Sequence, residues 1–248
     1  MAILRVLGSA DAFNSAGYLH SCYVLETGGA TLMLECGPGV LAGMKKAGVA
    51  TDLPDSILIS HLHGDHFGGV PFLFLEYLFE NPRERPLVIA GPPTTRERID
   101  TVYAGLYREA HLRKLDFEVS YLEIRPGEGF ELPGFSGEAF EVPHGAHPFA
   151  LAYRLTADDG SSVLFSGDSA WTEDFVTHSE GADLFLCECC FLDRQSGFHV
   201  NYRELMANRD RLGCARLLLT HVGAEVRGAE ALELELATDG MVIEVGSR

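Results

Sequence analysis

Basic residues are scarce in this sequence: 19 Lys and Arg stand against 36 Asp and Glu in 248 residues, a formal charge of −17. They are nowhere denser than in "RERPL" and "HLRKL", which read as solvated helix ends. A protein that grips nucleic acid normally offers the phosphates a basic face, so this balance argues against a large polyanionic partner. It leaves a small anionic substrate open, because bound cations neutralise a single phosphate locally. Long apolar runs are missing as well, so no membrane-spanning helix is expected. "MAILRVLGSADAF" turns polar too soon for a signal peptide, and a cytoplasmic location is the expectation. The six cysteines agree with it: "CECC" suits a reducing compartment, and the spacing matches no small disulfide framework. Linkers, low-complexity segments and short-period repeats are also absent, so residues 1–248 read as one domain.

What the chain does contain is an alternation of strands and helices. "AILRVLG" reads as a strand, and "SCYVLETGGATLMLECGPG" as two strands turning at Gly28-Gly29. "VLAGMKKAG" is a short helix ending at Gly48, and "DSILIS" is a buried strand. The apolar helix "VPFLFLEYLFEN" stops at Asn81-Pro82. The strand "PLVIAG" and the helix "TTRERIDTVYAGLYREA" follow, with Thr94 or Thr95 as N-cap. Further strands are expected at "EAFEVP", "FALAYRLT", "SVLFSG", "DLFLCECCF", "RLLLTH" and "MVIEV", with a helix at "NYRELMANRDRLG". "RPGEGFELPGFSGE" reads as a loop. Such an order indicates a layered α/β fold.

Residues of metal-ligand type recur at the C-terminal ends of four of these strands. His61, His63, Asp65 and His66 follow "DSILIS", His144 follows "EAFEVP", Asp168 follows "SVLFSG", and His221 follows "RLLLT". Open sheets place their sites at such ends. One histidine there is usually structural, whereas seven residues at four strand ends call for a shared partner. Imidazoles mixed with carboxylates suit zinc, manganese or iron. Seven donors exceed one tetrahedral ion, and two divalent ions sharing a carboxylate use them all.

On these residues the chain resembles the metallo-β-lactamase superfamily, in its ribonuclease Z-like and phosphodiesterase branch. "HLHGDH" matches H-x-H-x-D-H in full, and "VPHGAH", "FSGDS" and "LTHVG" follow in the family's order. "GSADAF", "LECGPG" and "ATDGMVIEV" fit as well, so the resemblance covers almost the whole chain. It implies an αβ/βα sandwich, two mixed β-sheets flanked by helices, with a dinuclear site along one edge. It implies that His61, His63 and His144 hold one ion, that Asp65, His66 and His221 hold the other, and that Asp168 bridges them. His147 is the alternative to His144; the strand-end position favours His144 and leaves His147 beside the substrate. Two divalent ions, zinc first and manganese or iron as alternatives, would supply a hydroxide bridging them. Asp65 then counts in the catalytic as well as the metal set. Glu188 in "LCECCF" and His199 in "GFHVNY" resemble the Glu and His that assist leaving-group departure in the ribonuclease Z-like enzymes.

The leading expectation is a dinuclear hydrolase of small phosphodiesters, with a small-molecule substrate, no nucleic-acid partner, no membrane association and a homodimer left open. The alternative is a ribonuclease Z-type transfer-RNA 3′-processing endonuclease, whose protruding Gly/Pro-rich arm finds no clear match here. Thiolester or lactone hydrolysis ranks third, since "PHGAHPFALAYRL" departs from the third motif of those branches. A non-enzymatic metal or cofactor-binding protein of this fold would show eroded ligands, and none of the seven is missing.

Overall fold

Runs such as "TLML" and "LFLCE" are mostly apolar and buried at every position, the pattern of strands covered on both faces. The computed structural model describes residues 1–145 and 149–246, and it puts these runs inside two seven-stranded mixed sheets. The first half of the chain runs β1 (Ala2–Gly8), β2 (Cys22–Glu26), β3 (Thr31–Leu34), α1 (Val40–Ala47), β4 (Ser56–Leu58), α2 (Gly64–Phe67) and α3 (Val70–Phe79). It continues with β5 (Leu87–Gly91), α4 (Thr95–Leu106), α5 (Arg108–His111) and β6 (Val119–Glu123). The second half runs β7 (Gly129–Leu132), β8 (Phe135–Glu141), β9 (Leu151–Ala157), β10 (Ser162–Phe165), α6 (Asp174–Ser179) and β11 (Leu184–Glu188). Then come α7 (Tyr202–Asn208), β12 (Leu217–Thr220), α8 (Ala224–Arg227), β13 (Glu235–Leu236) and β14 (Val242–Val245).

The two sheets share one plan. In each, the strands that come first in the chain pair antiparallel and the later ones parallel: β1 to β3 then β4 to β6, and β7 to β9 then β10 to β13. β14 returns to the first sheet and pairs antiparallel with β1.

Side-chain alternation sorts the core. Leu4, Tyr23, Leu32, Val163, Leu184 and Leu218 point between the sheets, where they form a common apolar layer. Their neighbours Val24, Met33, Leu164, Phe185 and Leu219 point outward and are covered by helices. Helix α3 buries Val70, Leu73, Phe74 and Tyr77, its i, i+3, i+4 and i+7 row. No described helix is long and apolar enough to cross a membrane.

Two local expectations are corrected and one is narrowed. "RPGEGFELPGFSGE" carries β7 and the start of β8, a hairpin turning at Gly134, where φ is 75°. Neither Thr94 nor Thr95 caps α4 through its side chain: Thr94 occupies the N-cap at φ 71°, and its N–H donates to Glu123 Oε1 at 2.8 Å. In "RERPL", Arg83 is 1% exposed instead of solvated. Its guanidinium donates to the carbonyls of Arg85, Asp52, Pro54 and Pro86 at 2.7–2.8 Å, and it lies over the rings of Tyr77 and Phe117. Backbone oxygens replace the carboxylate that a buried cation normally needs.

Candidate metal centre

The C-terminal ends of β4, β10, β11 and β12 open onto one edge of the sandwich, and the loop after β8 reaches the same place. Three features of the local sequence aim side chains there. Helix α2 is a single turn that carries Asp65 and His66 on the loop after β4. Gly167 takes φ 56°, and a Cβ there would lie 2.7 Å from Leu151 O and Ser60 Cβ, so only glycine delivers Asp168 at this approach. His221 sits at φ 50°, a left-handed conformation that is strained for a side-chain-bearing residue and recurs at functional sites.

The structure brings the seven residues into two adjoining groups, His61 with His63 and His144, and Asp65 with His66, Asp168 and His221. In the first, His63 Nδ1 lies 3.0 Å from His61 Nε2 and 3.1 Å from His144 Nε2. Asp168 Oδ2 lies between the groups: it is 3.3 Å from His66 Nε2 and from His221 Nε2, 3.8 Å from His144 Nε2 and 3.9 Å from His61 Nε2. Asp65 Oδ2 is 3.2 Å from His66 Nε2 and 3.4 Å from His221 Nε2. His147 lies outside the described residues.

This donor set fits divalent ions. A ring nitrogen has one in-plane position, holding a proton or a lone pair, so His63 Nδ1 cannot hydrogen-bond both neighbours. A cation accepting three lone pairs satisfies all three nitrogens, and tetrahedral bonds of about 2.0 Å place ligand atoms about 3.3 Å apart. Burial holds His61, His63 and His144 below the ordinary imidazole range, which keeps those lone pairs free. In the second group, burial disfavours a charged His66, but Asp168, Asp65 and Glu35 outweigh it and hold this imidazole well above its ordinary range. Both its ring nitrogens, with Asp168 Oδ1, are buried without a well-formed hydrogen bond, as expected where a cation would sit in place of a proton.

The outer faces of these imidazoles are held too. Ser60 Oγ is 3.0 Å from His61 Nδ1, and His144 Nδ1 donates to the Phe198 carbonyl at 2.7 Å. Glu35 is fully buried at φ 60°; Oε1 accepts the Ser60 N–H at 3.1 Å and lies 3.5 Å from His66 Nδ1. Such partners fix ring orientation and tautomer. Glu35 was read only as part of "LECGPG"; its place just past the apolar strand "TLML" was the available signal.

Beside the two groups lies a second acid–base unit. Glu188, on the row of β11 that carries Leu184 and Leu186, is fully buried. Its Oε1 accepts from the Ser169 N–H at 2.8 Å and from His199 Nδ1 at 2.9 Å, and its Oε2 accepts from the Cys190 N–H. His199 Nδ1 is 4.0 Å from Asp168 Oδ2, and its side chain keeps 20% exposure. Burial works against its charged form, but the hydrogen bond and charge of Glu188 hold it above the ordinary imidazole range. A protonated imidazole at the edge of the centre can give up a proton there.

Comparison with known proteins places this arrangement. Ribonuclease Z of Methanothermobacter thermautotrophicus is 26% identical, over 99% of this chain and 97% of the relative. A Bacillus subtilis protein described as "Probable metallo-hydrolase YhfI" is also 26% identical, over 88% of this chain and 86% of the relative. The structure of the short form of human tRNase Z superposes with a TM-score of 0.80 at 23% identity, covering 99% of this chain and all of the other. These relatives overturn the expectation that nucleic acid is no partner, since those named ribonuclease Z match the chain almost end to end. Net charge is summed over the whole surface and does not report the field at one edge, where cations would reverse it. The family described as Anti-Pycsar protein Apyc1 matches residues 2–236. The chain belongs to that family, and it is a metal-dependent hydrolase of the metallo-β-lactamase fold.

Proposed function

We propose that this chain hydrolyses phosphodiesters, small ones first, at a centre of two divalent ions held by His61, His63, His144 and by Asp65, His66, His221, with Asp168 shared. The observation that carries the reading is the position of Asp168 Oδ2, within 3.3–4.0 Å of four candidate ligand nitrogens and of His199 Nδ1. Five imidazoles and two carboxylates suit zinc, with manganese or iron as substitutes. When bound, such ions supply electrophilic charge for a phosphoryl oxygen and a water acidified toward neutral pH. The chain's own residues do the rest. Glu35, Ser60 and the Phe198 carbonyl hold the imidazoles in orientation, and Glu188 keeps His199 turned toward the centre as the proton donor to a departing alkoxide.

A second reading, cleavage of transfer-RNA precursors, rests on the relatives named ribonuclease Z. One panel decides: metal-loaded protein with bis(4-nitrophenyl) phosphate, a thiolester and a precursor transfer RNA. Turnover of the phosphodiester ahead of the thiolester is expected. Thiolester turnover alone would reject the proposal, and efficient precursor cleavage at low enzyme concentration would promote the second reading.

A further inference from the structure

The cysteines of "CECC" part company in the fold. Cys187 and Cys189 pack into the outward apolar layer, and their thiols donate to the carbonyls of Glu188 and Phe191. Cys190 is buried too, at 6% exposure, but it joins none of the apolar layers. Its Sγ lies instead with a ring nitrogen of His199 and one of His221, the three atoms within 4.8 Å of one another. His221 Nδ1 is buried and makes no well-formed hydrogen bond. The ring of His199 stacks on that of His221, with centroids 5.5 Å apart and planes at 9°. The side chain of His199 keeps 20% exposure, so the group has an opening to solvent through which an ion can enter.

A thiol kept for its apolar character belongs among apolar neighbours. One set beside two imidazoles belongs to a donor set, and thiolate with imidazole selects zinc or the softer cadmium over manganese or magnesium. We propose that Cys190, His199 and His221 form a further cation site, set apart from the seven-residue set by its sulfur, and that a thiophilic ion held there switches the enzyme off. The thiol proton leaves to solvent as the ion binds. Such an ion occupies a nitrogen of His199, the proposed proton donor, and competes for His221 with the second ion of the proposed pair. The switch rests on the proposed function; the site itself does not.

Ultraviolet absorption reads the site without turnover. Cadmium added to manganese-loaded protein is expected to raise a sulfur-to-cadmium charge-transfer band that manganese alone does not give. Cys190→Ser should abolish the band, and Cys214→Ser, which removes the most exposed thiol, should keep it. Should Cys190→Ser fail to fold, His199→Asn decides: it leaves the thiol in place and should weaken cadmium binding roughly tenfold or more. In phosphodiester turnover, the cadmium concentration that halves the rate should rise by a similar factor in Cys190→Ser, each protein measured against its own cadmium-free rate. No band on the wild type, a band that survives Cys190→Ser, or unchanged cadmium affinity in His199→Asn would overturn the site. Loss of the band with undiminished inhibition would overturn the switch. Failure to hydrolyse any phosphodiester would reject the proposed function and leave the spectral titration standing.

Discussion

His199 donates from Nδ1 to a carboxylate with no exposure of its own, so its charge is anchored while the side chain stays partly open to solvent. That geometry matters for a leaving group that needs a proton and is idle for one that does not. His199→Ala should therefore slow hydrolysis of a methyl or sugar phosphodiester roughly a hundredfold and change a 4-nitrophenyl ester much less, with metal content intact. Steady-state rates on the two ester types, with elemental analysis of each preparation, check this; equal losses would reject the proton-donor role. Individual residues were unevenly legible. The strand-end rule located the seven residues that converge, because side-chain type and strand position are both written in sequence. The Phe198 carbonyl on His144 could not be read that way, since every residue carries a carbonyl and only the fold decides which one arrives. Glu35 obeyed the strand-end rule and was still passed over, because one carboxylate after "TLML" looks no different from a solvated one.

Among the elements, the buried guanidinium of Arg83 ties the segment between α3 and β5 to the one preceding β4. β4 carries the loop with His61 to His66, so this clamp fixes one wall of the centre from behind. Arg83→Met leaves four carbonyls without a donor and is expected to cost about 3 kcal/mol or more. Arg83→Lys should recover only part of it, because an ammonium lacks the planar fork. Urea denaturation of both variants measures the difference, and a lysine variant as stable as wild type would show that charge alone suffices. The clamp was illegible because arginine among other charged residues reads as surface, and only folded carbonyls make burial affordable. The β7–β8 hairpin was hidden for a different reason: its glycines and prolines outweighed the short apolar alternation of "GFEL".

For the whole molecule, fold class was the most legible property, since alternating strands and helices admit few layered solutions. Overall charge was the least informative one, because it averages over surface that the site does not use. The candidate ligands come from both sheets: His61 to His66 follow β4 of the first, and His144, Asp168 and His221 follow β8, β10 and β12 of the second. Ions bound to this set would thus favour the docked arrangement over either sheet alone. Ions free at a hundred times their dissociation constant should raise the melting temperature by roughly 5–10 °C over chelated protein. We propose that the melt is one cooperative transition in both states. Scanning calorimetry with and without chelator checks both points; an unchanged midpoint would reject structural linkage, and two separated transitions would reject the single unit. The same division of ligands bears on biosynthesis. A growing chain displays four of the seven donors by residue 66 but must reach residue 221 and bring the second sheet against the first before the set is complete. Metal uptake by such a set would therefore be a late event in the life of each molecule, and a chain stalled partway would offer only part of the chelate.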